Sequence, residues 1–138
     1  MAAYTDFWGD IASEGQRTPL AILREQATLL GTKTKNLVEA TVDTSVDARG
    51  RFVHRFTLVV PSLSSYKYEL FRIEHGVAIY PITVASGPLV LVTNESLGSQ
   101  LLGSLLQTEQ EFVNWLRGKL SSAETKRIIA NLLAQATS

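Results

Sequence analysis

Polar and apolar residues alternate most strictly between residues 37 and 60. Val38, Ala40, Val42 and Val46 fall on one side, with Glu39, Thr41, Asp43 and Ser45 on the other. This is the two-residue period of a half-buried strand. Phe52, His54, Phe56, Leu58 and Val60 keep that period across residues 51–60. Between the two runs, Ala48-Arg49-Gly50 has the form of a three-residue hairpin loop. The last residue of such a loop adopts a left-handed conformation, which glycine takes without a Cβ clash. The loop sets a register: Val46 faces Phe52, Val42 faces Phe56 and Ala40 faces Leu58, while Asp43 meets Arg55 and Asp47 meets Arg51. Apolar partners on one face and opposite charges on the other favour the same pairing.

A second hairpin is expected from residues 66–74 and 77–84 around His75-Gly76, with Phe71 facing Tyr80 and Ile73 facing Ala78. Tyr68, Leu70 and Ile79 fall on the opposite side, so the pattern leaves two candidate buried faces. Pro81 cannot donate to a ladder, which points to a bulge or a sheet edge. Ser86-Gly87-Pro88 turns the chain, and residues 89–93 form a candidate fifth strand.

Helical periodicity occupies both ends. Residues 4–12 place Phe7, Trp8 and Ile11 on one side after Thr5, with Gly15 as a terminator. Thr18-Pro19 opens a helix over residues 19–30: a capping hydroxyl, then a proline where no N–H is needed. Leu20, Leu23, Ala27 and Leu30 form its stripe, and Gly31 is the expected left-handed stop. Leu97, Leu101, Leu102, Leu105 and Leu106 suggest a helix over residues 97–106, weakened by Gly98 and Gly103. Thr108 with Glu111, and Ser121 with Glu124, read as capping boxes for helices over residues 109–120 and 122–136. Two boxes so close together predict an αα-hairpin.

The expected fold class is α+β: a single domain, residues 1–138, with an antiparallel sheet of four to five strands in two consecutive hairpins, packed against N- and C-terminal helices. A length of 138 residues and a hydrophobic content of 45% suit one core. Thirteen basic residues balance 13 acidic ones, whereas proteins that live on phosphate backbones usually carry a basic surplus. With no cysteine, disulfides, thiolate metal sites and cysteine nucleophiles are excluded. Residues 77–92 are the most apolar stretch, but Pro81, Gly87 and Pro88 interrupt them and they are too short to cross a bilayer. The start carries Asp6, Asp10 and Glu14 and lacks the positive charge of a secretory signal. These features lead to an expectation of a cytoplasmic protein.

Candidate chemistry is sparse. His54, on the apolar side of its strand opposite Thr44, reads as a buried neutral imidazole bonded to that hydroxyl or to a backbone carbonyl. His75 reads as a solvated turn residue, and a hairpin tip is not expected to converge with a mid-strand position. No metal ligand set and no cofactor is expected. Glu39 and Asp43 are about 13 Å apart at strand rise, too far to share a proton. Ser62, Ser64 and Ser65 lack a glycine-flanked elbow, and Gly98 and Gly103 lack the lysine of a phosphate loop.

Three function classes remain. The leading expectation is a non-catalytic protein-interaction module, of a chaperone, adaptor or neutralising type, binding another protein or a second copy of itself. Its candidate surfaces are Tyr4, Phe7 and Trp8 near the start, where docking of these rings onto the domain's own core is the first expectation, and Leu101 and Leu105 towards the end. At the level of element order alone, the chain resembles bacterial secretion chaperones and toxin-neutralising proteins. The alternative is an RNA- or small-ligand-binding domain using Arg55, Arg72, Tyr66 and Tyr68, since arginines hold phosphate and rings stack on bases. The third is an enzyme with a site between sheet and helices, drawing on His54, Tyr80 and Glu69.

Overall fold

The computed structural model describes residues 5–12, 17–86 and 105–138. Helix α1 (Pro19–Lys33) is followed by strands β1 (Glu39–Val46), β2 (Phe52–Val60), β3 (Tyr66–His75), β4 (Ile82–Ser86) and β5 (Leu105–Leu106). Helices α2 (Glu109–Leu120) and α3 (Ala123–Ala136) complete the order. The strands form one antiparallel five-stranded sheet in the order β1-β2-β3-β4-β5, so the architecture is α+β.

The first hairpin has the register its alternation implies. Val46 pairs with Phe52, Val42 with Phe56, Ala40 with Leu58 and Asp43 with Arg55. Gly50 closes the loop at φ +79°, and its N–H reaches the Asp47 carbonyl at 2.9 Å. β3 carries an irregularity that the alternation does not reveal. Phe56 pairs with Phe71, but the next residue, Thr57, pairs with Glu69. Leu70 is therefore the extra residue of a bulge, and such a residue shifts the strand's phase. Leu70 and Phe71 are both buried, Tyr68 lies against the core opposite Leu58, and Glu69 and Arg72 belong to the other face. The bulge thus resolves the two candidate faces into one.

The second hairpin differs from expectation. Phe71 pairs with Ser86 and Ile73 with Val84, not with Tyr80 and Ala78. β4 begins only after Pro81, because a residue without an N–H is poorly placed within a ladder. Residues 76–81 are instead a loop, with Ile79 at φ +74°. The expected helix over residues 4–12 is also corrected: residues 5–12 are non-helical. Gly9 sits at φ +68°, and the Asp6 carboxylate takes the Trp8 N–H at 2.8 Å, a local bond that competes with helix formation. Leu105 and Leu106 are strand rather than helix, since pairing of Leu106 with Ile82 closes the core edge. Residues 97–104 of that expected helix, and the candidate strand 89–93, lie outside the described residues.

α1 starts as anticipated, with the Thr18 hydroxyl accepting from the Ala21 N–H at 3.1 Å. It runs past buried Gly31 to Lys33, and the left-handed exit falls on Lys35 and Asn36. Thr108 caps α2 through the Glu111 N–H. The cap of α3 is Ser122 rather than Ser121, accepting from the Thr125 N–H at 3.2 Å. One face of the sheet supplies Phe56, Leu58, Val60, Leu70, Phe71, Ile73, Ile82 and Val84 to the core. α1 covers it with Ile22 and Leu23, and the C-terminal helices cover it with Phe112, Leu116 and Leu132. Phe56 stacks on Phe71 at 5.1 Å, and Trp115 meets Phe71 edge-on at 5.0 Å.

Candidate functional site

His54 and His75 converge, contrary to the expectation that they would stay apart. β2 and β3 run side by side, and the inward phase of β3 after its bulge turns His75 into the protein beside Phe52. Both rings are buried, at 3% and 7% exposure, so His75 is not a solvated turn residue. His54 Nε2 lies 2.9 Å from His75 Nε2, His75 Nδ1 lies 2.8 Å from the Gly76 carbonyl, and the Thr44 hydroxyl lies 2.9 Å from His54 Nδ1.

The carbonyl fixes the protons, because it can only accept. His75 Nδ1 therefore carries hydrogen and its Nε2 accepts. His54 Nε2 then donates, and His54 Nδ1 accepts from Thr44. Burial lowers the His54 pKa from 6.5 to about 4, aided by the facing His75 and by Arg24 on α1. In this pair of tautomers all four ring nitrogens are satisfied within the protein, and no lone pair is left for a metal or a substrate proton. Among the described residues no group of three or more His, Asp or Glu side chains could hold a metal ion.

The opposite face of the sheet is a charge lattice. Glu69 receives Arg72 at 2.9 Å and Arg55 at 3.4 Å. The Asp43–Arg55 pairing expected from register holds for the backbone, but the Arg55 guanidinium turns to Glu69 and to the Ser45 hydroxyl at 3.0 Å. Asp47 accepts from the backbone N–H groups of Arg51 and Arg49 and from the Arg49 guanidinium, which keeps its pKa below the usual carboxylate value. The basic and aromatic residues of the alternative reading are thereby divided. Arg55 and Arg72 share Glu69 on one face, whereas Tyr66 and Tyr68 pair opposite Val60 and Leu58 on the core side. The same division separates Glu69 from His54. Tyr80 lies on the β3–β4 loop with its hydroxyl buried and without a partner among the described residues, and burial, then Glu109, raises its pKa.

A concavity lies on the core side, between α1 and the C-terminal helices. It has a volume of about 570 Å³, within the size range of ligand and segment-binding clefts. Phe56, Leu58 and Leu70 form its floor; Ile22, Leu29 and Leu30 form one wall, and Val113, Leu116, Leu120 and Ile129 the other. Its rim carries Arg17, Lys33, Arg117 and Lys126 against a single acid, Glu25, which Arg17 holds at 2.7 Å. Lys33, Arg117 and Lys126 have no ion-pair partner among the described residues. The sequence offered the apolar walls only as core stripes, and nothing in it brought these cations to one opening.

Of the surface residues singled out in the sequence, Phe7 and Trp8 are 93% and 80% exposed, and Leu105 is half-exposed on β5. Tyr4 and Leu101 lie outside the described residues. No described helix is long and apolar enough to cross a membrane. Compared with protein-family models, curated proteins and solved structures, the chain gives no match.

Proposed function

We propose that this protein is a non-catalytic protein-interaction module, and that the groove between α1 and α2–α3 receives an apolar segment flanked by acidic residues. One observation carries the reading: an open apolar trough whose rim bears three cations with no ion-pair partner among the described residues. Apolar burial supplies the affinity of such a site, roughly 25 cal/mol per Å² before the costs of association. The cations supply selection, favouring acidic segments and repelling basic ones. The histidine couple fits a structural part, because its hydrogen-bonding groups are consumed internally. The arginines of the outer face are likewise engaged by Glu69, which weakens the nucleic-acid alternative.

The test uses labelled synthetic peptides, one set rich in leucine and glutamate and a matched set rich in leucine and lysine, each in helical and extended designs. An acidic peptide binds with an affinity that falls as salt rises, and its lysine counterpart binds at least tenfold more weakly. Leu29→Glu, on the exposed side of α1, abolishes binding without unfolding the chain. Equal binding of both sets, or binding indifferent to Leu29→Glu, contradicts the proposal.

A further inference from the structure

Residues 5–12 contain the kind of segment that the groove suits. Asp6 and Asp10 flank Phe7 and Trp8, Ile11 follows, and no basic residue is present. Phe7, Trp8 and Ile11 are 93%, 80% and 74% exposed, so three large apolar side chains stand in water on one short arm. Exposing them is unfavourable, and clustered exposed apolar groups mark contact surfaces. In the single chain none of residues 5–12 lines the groove. The groove is open, apolar and cationic; the arm is non-helical, apolar and acidic.

We infer that the groove of one copy holds the arm, residues 5–12, of a second copy, in a reciprocal two-fold exchange. This rests on the reading of the groove as a site for acidic, apolar segments, and it names a segment that occupies it. A two-fold arrangement uses the same patch twice and closes without further growth. Two aromatic rings and an isoleucine bury roughly 500 Å² per arm. Two arms then bury roughly 1,000 Å² of their own surface, to which the grooves add a smaller loss, and this reaches the lower size limit of a specific protein–protein interface. The occupied groove is closed to other acidic segments until the arm is displaced, so self-association regulates access to the site.

The experiment combines sedimentation velocity on the full chain with Trp8 emission in a Trp115→Phe background. The expected result is a dimer that dissociates on dilution, with Trp8 emission moving to longer wavelength in step. Deleting residues 1–12 takes away exposed Phe7, Trp8 and Ile11 and should yield a folded monomer. Asp6→Lys/Asp10→Lys and Arg117→Glu/Lys126→Glu each weaken dimerisation at least tenfold, and combining them in one chain restores it. A chain that is monomeric at all concentrations overturns the inference whether Trp8 is solvated or shielded, the latter placing the arm in its own groove. A dimer that survives arm deletion also overturns it. The acidic peptide separates this failure from that of the underlying reading. If it binds the arm-deleted monomer at the groove, only the exchange falls; if it does not bind there, the groove reading falls too.

Discussion

One carbonyl orders a line of protons across three strands. The Gly76 oxygen forces the hydrogen onto His75 Nδ1, and each following partner has a single arrangement left, out to exposed Thr44. His54 has its folded pKa lowered from 6.5 to about 4, so the unfolded chain binds the extra proton between those values. The His54 contribution is therefore complete above about pH 6.5 and is lost as pH falls towards 4. Discounted for solvent at the Thr44 end, the loss is about 2 kcal/mol. His54→Phe leaves His75 without a donor and costs about 1–3 kcal/mol at neutral pH. In denaturant titrations the gap between wild type and variant should narrow as pH drops from 6.5 to 4; a constant gap would place the imidazole outside the pH dependence. Glu69 is the residue-scale counterpart on the outer face. Glu69→Ala leaves Arg72 and Arg55 facing each other across paired strands, and should cost about 1–2 kcal/mol, less at high salt.

Among the elements, the β1–β2 hairpin was legible because two local signals agreed: alternation on both strands and a glycine where the loop needs positive φ. The β3–β4 hairpin was not. His75-Gly76 has turn composition, but Pro81 blocks the ladder and moves the start of β4 to Ile82. That shift, with the Leu70 bulge, is what hid the histidine couple, since a two-residue turn would have left His75 in solvent. Leu70 spends no ladder partner yet fills the groove floor, so Leu70→Ala should cost about 2–4 kcal/mol in thermal or denaturant unfolding. The caps at Thr18 and Thr108 could be read directly, because side-chain capping is local chemistry. Thr108→Ala should cost about 1 kcal/mol. The arm misled for a related reason: its aromatic spacing is helical, but Asp6 takes the Trp8 N–H and Gly9 turns the backbone, leaving too short a run to nucleate.

At the scale of the whole molecule, the sheet acts as a partition. Charges close among themselves on one side, and the other side is packed by helices with a groove between them. The α+β class followed from the order of the patterns, but the groove did not. Its floor comes from β2 and β3, its walls from helices at opposite ends of the chain, and its cations from four separate points. Periodicity describes one element at a time, so it cannot report an opening between three. The claim that this opening is the binding surface is tested most directly by mapping amide shifts in the isotopically labelled chain lacking residues 1–12, titrated with an acidic, leucine-rich peptide. The account predicts shifts concentrated at Leu29, Leu30, Lys33, Leu70, Val113, Arg117 and Lys126, with β1 and the Arg55–Glu69–Arg72 lattice unchanged. Shifts confined to that lattice or to the β1 edge, with the groove silent, would contradict it.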